Sequence, residues 1–395
     1  MGNVLELGPS AISKKKIRFC ILATATVQMC YIALMAAISD IAAFFPDYSA
    51  TVIQTGVTAI NLMAIGGALV SGLLSFRFPK KLLTILGFAL VIIGGICGFF
   101  LHSTLGLFYT WSLVIGFGLG MFSPAVMSLL VDYFEGEERA EISGMQTSFI
   151  NSGGVILTFV GGLLAAIAWH FSYLAFLAVV PVLIICMKNM PAKNRFPAER
   201  GTKQKIPPEI WYYFLTVFLI FLVYNTFPTN IALFLHETGL GDAAMAGGVN
   251  AVFMVGGVVM GLIFSRMTGR FAEYFFAFAH LMLIISFSLI CVTESIAVVF
   301  IAAFIGGISI SMTMPQAMYS VAGKIPPATG VAVFSLVSSV APSLGSFASP
   351  AVMGFFSRFV TDEGDSISRF MAAVMLALVF AIVQFAAVAR SRKNR

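Results

Sequence analysis

Charge is what this sequence has least of: of 395 residues, 10% are Asp, Glu, Lys or Arg and 59% are hydrophobic, whereas soluble globular chains carry about a quarter charged residues. A surface so poor in ions faces something other than water. The mean hydropathy of +0.98 excludes an ordinary soluble domain and points to a lipid bilayer. The formal charge of +6 would suit nucleic acid only as a basic stripe interleaved with aromatics on a solvated face. Here it lies between apolar runs, so no nucleic-acid partner is expected. The five cysteines (Cys20, Cys30, Cys97, Cys186, Cys291) all fall inside apolar stretches, without CxxC spacing or nearby histidine. They read as small core residues, not as disulfides or metal ligands. HExxH, GxSxG, and paired carboxylates or histidine clusters within the apolar runs are all missing. Nothing in the chain is equipped to activate water or hold a catalytic metal, so neither an enzyme nor a cofactor is expected.

What is there is apolar length. At about 20 apolar residues per membrane-crossing helix, the chain has room for twelve. The runs place spans 1 to 12 at 18–45, 50–76, 82–101, 105–132, 140–166, 168–189, 209–236, 243–266, 272–293, 295–321, 329–357 and 367–390. Residues 1–17 are mixed polar, and Lys14, Lys15, Lys16 and Arg18 lead straight into span 1 without a cleavable-signal pattern, so span 1 is expected to be retained. With the N-terminus in the cytoplasm, 21 of the 23 Lys and Arg lie on that side, and only Arg358 and Arg369 lie outside. The positive-inside rule selects this orientation, with both termini cytoplasmic. One missed span would invert every later loop and destroy the asymmetry. The longest polar stretch, 190–208, holds Pro191, Pro197, Pro207 and Pro208 and reads as a cytoplasmic linker. It divides an all-α membrane protein into two six-helix halves, 18–189 and 209–390, with cytoplasmic tails at 1–17 and 391–395.

The halves repeat. Gly72 and Arg77 after span 2 match Gly261 and Arg266 after span 8, 189 residues on; Gly116, Pro124 and Met127 in span 4 match Gly307, Pro315 and Met318 in span 10, 191 residues on. Matched positions on equivalent spans predict two pseudo-symmetric six-helix bundles.

Twelve spans in two repeats, with basic turns after spans 2 and 8, resemble the major facilitator superfamily over the whole chain. That family's signature at the first turn is roughly Gly-x-Leu-x-Asp-Arg-x-Gly-Arg-Lys. Here it stands as Gly72, Leu74, Phe76, Arg77, Pro79, Lys80 and Lys81. The resemblance implies that this turn and its Arg266 counterpart latch the cytoplasmic gate, the arginine meeting Asp132 or Glu135 at the end of span 4. Arg139, Ala140 and Gly144 fit the family pattern after span 4 loosely, and Trp169-His170-Phe171 stands where many members have Trp-Arg. Two departures bear on mechanism. Ser112 stands where many proton-coupled members keep an arginine. Gly144, Gly153 and Gly161 fit the span 5 pattern of drug–proton antiporters, but Leu157-Thr158 replaces its Gly-Pro. A transporter is supported, and proton antiport and drug export are weakened.

By the same resemblance, spans 1, 4, 7 and 10 line a site near mid-depth. Gln28, Tyr31, Met35 and Ser39 in span 1 recur at spacings of 3, 4 and 4, one face at 100° per residue. Span 7 carries Tyr224, Asn225, Thr226, Thr229 and Asn230 around Pro228, which frees a backbone carbonyl. Such a break is tolerated where a helix lines a cavity. Span 10 carries Ser309, Thr313, Gln316 and Ser320, and spans 2, 5 and 8 add Asn61, Asn151 and Asn250. Amides in lipid are costly, so each is expected to point inward, as a solute contact or as interhelical glue. The small residues Ser335, Ser339, Pro342, Ser346 and Ser349 of span 11 read as a sliding seam.

No Lys or Arg is expected at mid-depth. Asp40, 120° from Gln28 on the helical wheel, reads as an outer-gate residue or a proton carrier, and His280 as a packed neutral imidazole or a proton relay. With 39 Phe and 20 Met, a cavity of aromatics, Met and amides suits a small neutral or weakly polar organic solute. The expectation is a secondary transporter working by alternating access as a monomer in a bacterial inner membrane, its partners the small-molecule substrate and the lipid bilayer. Alternatives on the same fold are an organic-anion or metabolite carrier and a proton-coupled drug exporter. A non-transporting sensor and an intramembrane enzyme rank below them.

Overall fold

A computed structural model describes residues 13–75, 77–134, 136–192, 207–271, 274–322, 336–361 and 365–393. Among these, twelve helices are long and apolar enough to cross a membrane: Lys14–Phe44, Ala50–Leu74, Lys80–Phe100, Leu105–Leu130, Ser148–Ala165, Trp169–Asn189, Pro208–Glu237, Ala243–Ile263, Phe275–Val292, Ile296–Ala317, Leu336–Ser357 and Ser366–Ala389. They are spans 1 to 12, in the order and number that apolar length predicts.

Span ends follow local chemistry. Thr104 opens span 4 by accepting the Leu107 N–H on its Oγ1 at 3.3 Å, and Asp365 opens span 12 by accepting the Ser368 N–H on Oδ1 at 2.8 Å. Each satisfies one of the donors that a helix start leaves orphaned.

Four of the described spans are not continuous α-helix; span 11 opens as a π-helix over Leu336–Val340 before the α-helix Ala341–Ser357. Span 7 runs as Pro208–Tyr224 and Thr226–Glu237 with Asn225 at the joint. Pro228 lacks the N–H that would serve the Tyr224 carbonyl four residues back, which accounts for the break at that point. Span 1 is α-helical over Lys14–Val27, turns into a 3₁₀ helix over Cys30–Ala37 and resumes as α-helix over Ile38–Phe44. Span 6 opens as a 3₁₀ helix over Trp169–Ala178. The 3₁₀ stretch in span 1 changes the expected face: at three residues per turn, Tyr31 and Met35 do not share the single stripe that 100° spacing gives.

The chain forms two compact units, Met1–Leu34 with Ala59–Arg200 and Met35–Thr58 with Gly201–Arg395. The end of span 1 and the start of span 2 thus group with the second half of the chain. Lipid tails are as apolar as leucine, so helices in a membrane associate through close packing. In the first unit a Cβ on Gly116 of span 4 would lie 2.3 Å from the Ile60 carbonyl oxygen of span 2. In the second, a Cβ on Gly307 of span 10 would lie 1.6 Å from the Phe253 carbonyl oxygen of span 8. Only glycine permits either approach, and the two residues matched in the sequence repeat do the same work in their own units. Aromatic contacts fill the remaining space: Phe88 on Phe122 at 4.5 Å in the first unit, and Phe227 stacked on Phe253 at 4.1 Å in the second.

Candidate functional site

The cation-rich turn after span 2 meets its acid, but through an unexpected residue. Lys80 Nζ lies 2.5 Å from Asp132 Oδ2, both side chains close to nine-tenths buried. Arg77, expected to make this contact, is exposed and forms no ion pair among the described residues. Pro79 precedes span 3 in extended conformation, and Lys80 is the first residue of the helix that packs along span 4. That places its ammonium against the end of span 4. Two further ion pairs join span 1 to the start of the span 5 helix: Lys14 to Glu138 at 2.9 Å and Arg18 to Glu141 at 2.8 Å. Gly72 has open space around it, nothing lying within 4 Å of an added Cβ, so packing does not require glycine there. Lys81 is half-buried. Phe76, Glu135, Lys324 and the side chain of Arg266 lie outside the described residues.

In the first unit, Gln28 sits at the joint of span 1 and donates from Nε2 to Ser123 Oγ of span 4 at 3.0 Å. Tyr31 and Asn151 are half-buried. Asn61 is buried, and its Nδ2 has no hydrogen-bond partner. Ser112, the residue that the resemblance sets against an arginine of many proton-coupled members, is fully buried.

In the second unit, Met35 is buried, and the span 7 amides are already engaged within the protein. Asn225 donates from Nδ2 to the Ser346 carbonyl of span 11 at 3.1 Å. Asn230 donates from Nδ2 to the Thr226 carbonyl at 2.9 Å and to Thr229 Oγ1 at 3.1 Å. Thr313 is buried with its hydroxyl on the Ser309 carbonyl at 2.9 Å. Asn250 differs. It is 1% exposed, and neither its Nδ2 nor its Oδ1 has a partner. Gln316 Nε2 reaches Ser320 Oγ at 3.2 Å, and its Oε1 is left without a partner. Tyr224 packs on Phe253, three residues along span 8 from Asn250, with ring centres 4.8 Å apart.

Of the two titratable candidates, His280 is fully buried, its Nδ1 2.9 Å from the Phe276 carbonyl and its ring 5.8 Å from that of Phe380. A carbonyl only accepts, so Nδ1 carries the proton. No acid contacts the ring among the described residues, which gives the imidazole the surroundings of a packed neutral group. Asp40 is half-buried within electrostatic reach of His236 and Asp242.

One charged side chain that the sequence places at a span end is buried within the protein. Arg369, assigned by sequence to the outer side, lies in the first turn of span 12 and is 5% exposed. Its Nη1 donates to Gln54 Oε1 at 2.6 Å and to Asn230 Oδ1 at 3.3 Å, and its Nη2 donates to Thr51 Oγ1 at 3.1 Å. Gln54 is fully buried and donates in turn to Asn230 Oδ1 and to the Thr229 carbonyl, both at 2.8 Å. Sequence reasoning missed Gln54 and Thr51. The available signal was the polar series Thr51, Gln54, Thr58 and Asn61, which recurs at helical spacing along span 2.

Comparison with known proteins follows from this architecture. Among curated proteins none matches by sequence. Solved structures that share the fold include a point variant of the nucleoside transporter NupG, 10% identical, with a TM-score of 0.78 over 94% of this chain and 99% of that one. A bacterial homologue of the human lysosomal transporter Spinster, in an inward-facing and occupied conformation, is 15% identical, with a TM-score of 0.73 over 97% and 98%. A POT family transporter in complex with a thioalcohol-conjugated peptide is 13% identical, with a TM-score of 0.75 over 95% and 96%. The family model described as Major Facilitator Superfamily matches residues 19–350, the greater part of the sequence, and the chain therefore belongs to that superfamily, as a transporter and not an enzyme.

Proposed function

We propose that this transporter moves a small neutral or weakly polar organic solute by alternating access across a bacterial inner membrane, with its linker and both termini in the cytoplasm. The observation that carries the reading is the set of buried amides left without partners: Asn61 Nδ2, both polar atoms of Asn250, and Gln316 Oε1. A buried unpaired polar group costs about 1–3 kcal/mol, and native structures hold few of them. Neutral donors and acceptors of this kind match hydroxyl, carbonyl and amide groups on a solute, with aromatic neighbours such as Tyr224 and Phe253 for its apolar part. On this reading Asn250 and Gln316 are solute contacts, as are Asn61, Gln28 and Tyr31, while Asn225, Asn230 and Thr313 hold the helices that present them. The fold neighbours named for nucleosides and peptides carry organic solutes rich in such groups. Lys80 and Asp132 then form the cytoplasmic latch.

A thermal-unfolding screen of the detergent-solubilised protein against nucleosides, neutral amphiphiles, carboxylates and organic cations tests the solute class. A ligand at 100 times its dissociation constant adds about 2.7 kcal/mol. Stabilisation by neutral compounds is the expected result, and stabilisation by carboxylates alone would replace this reading with an organic-anion carrier. The observation favouring that second reading is Arg369, whose direct partners are all neutral.

A further inference from the structure

Arg369 poses a specific physical problem. Burying a guanidinium is costly unless a carboxylate contacts it and every N–H finds an acceptor. Here neither condition is met: three bonds go to a glutamine, an asparagine and a threonine, and Nε has no partner. Glu237 and Asp365 lie within electrostatic reach of the guanidinium, but neither is in contact with it among the described residues. Glu237 accepts the N–H and the hydroxyl of Ser366, and Asp365 caps the start of span 12.

As permanent glue this is a poor arrangement, but as a reversible one it is well chosen. Separating a guanidinium from a carboxylate divides opposite charges. Separating it from neutral oxygens lets water replace each bond and restores the hydration of the ion. The unpartnered Nε adds to the gain on opening.

The partners identify what would open. Thr51 and Gln54 belong to the start of span 2, which groups with the second half of the chain, while Asn230 lies on span 7. Beside them, a Cβ on Gly354 of span 11 would lie 2.5 Å from Thr51 Oγ1, so span 2 is seated closely at this level.

We propose that Arg369 is a gating residue of the transport cycle. By gripping Gln54, Thr51 and Asn230 it holds the outer ends of spans 2, 7 and 12 together, and its release into water opens the outer side. The inference rests on the alternating-access reading with the linker in the cytoplasm, and on nothing about the solute.

The test therefore uses no solute. In a background with all five cysteines replaced, Ala232→Cys, buried on span 7 two residues beyond Asn230, is labelled by a membrane-impermeant maleimide added from outside to intact cells. Arg369→Gln should raise the labelling rate about tenfold, equivalent to about 1.4 kcal/mol in the opening equilibrium. Arg369→Lys, which keeps the charge but loses the fork, should fall between the two. Gln54→Ala removes an acceptor without touching the ion, and Gly354→Ala wedges span 2 away; both should also accelerate labelling. These two keep the test decisive if Arg369→Gln does not fold. Unchanged labelling in folded Gln54→Ala and Gly354→Ala proteins would overturn the proposal. Faster labelling in a protein that no neutral solute stabilises would sustain the latch and remove the solute assignment.

Discussion

The ammonium of Lys80 lies 2.5 Å from the carboxylate of Asp132, joining the start of span 3 to the end of span 4 in a pair about a tenth exposed. Arg77, three residues earlier, is exposed. These two cations therefore separate by experiment. Lys80→Ala removes an ammonium that contacts a largely buried carboxylate, and the loss should be about 1–3 kcal/mol, below the full buried-pair value because the site is not sealed. Arg77→Ala should stay within about 0.5 kcal/mol. Thermal unfolding in detergent of the two variants and of Asp132→Asn checks this. A larger loss for Arg77→Ala than for Lys80→Ala would refute the assignment of the contact.

The paired glycines give a second test. Gly116→Ala and Gly307→Ala each push a methyl group into a neighbouring backbone carbonyl, Ile60 or Phe253. Backbone cannot rotate aside, so each should cost at least about 1–3 kcal/mol, the usual range for overpacking. Gly72→Ala meets nothing within 4 Å and should be neutral or stabilising by about 0.5–1 kcal/mol, since alanine outranks glycine inside a helix. Unfolding temperatures of the three variants, measured side by side, decide it. Equal losses at all three would mean that the close crossings do not hold the bundles.

Some of this was legible in the sequence, and the reasons are physical. Span number follows from apolar length, which no tertiary contact alters. The break in span 7 was visible because Pro228 removes a donor wherever it stands. The repeat was visible because Gly116 and Gly307 answer the same steric demand. The 3₁₀ stretch of span 1 was not: Cys30–Ala37 has neither Gly nor Pro, so no residue marks it and packing decides the turn. Arg369 was hidden for a similar reason. A lone arginine near a span end reads as an interfacial cation, and only the arrival of Gln54 and Thr51, more than 300 residues earlier in the chain, makes it an interior one. Several amides were found, though not Gln54, and their division into engaged and unpartnered groups depends on neighbours that helical spacing does not specify.

That division yields the last prediction, because two asparagines that look alike in the sequence should respond in opposite ways. Asn225→Ala removes the bond to the Ser346 carbonyl, so the folded protein should lose about 1 kcal/mol whether or not solute is present. Asn250→Ala removes an amide whose two polar atoms have no partner. It ends an unmet desolvation cost and leaves a space smaller than the side chain it replaces, so intrinsic stability should change by less than about 1 kcal/mol. What Asn250→Ala should lose is the response to solute: if its amide makes one hydrogen bond to a neutral ligand, affinity falls roughly fivefold to tenfold. Titrating each variant with a stabilising compound from the screen separates the two effects. A ligand response that survives Asn250→Ala intact would return that residue to the role of helix packing, and the solute contacts would then have to be sought at Asn61 and Gln316.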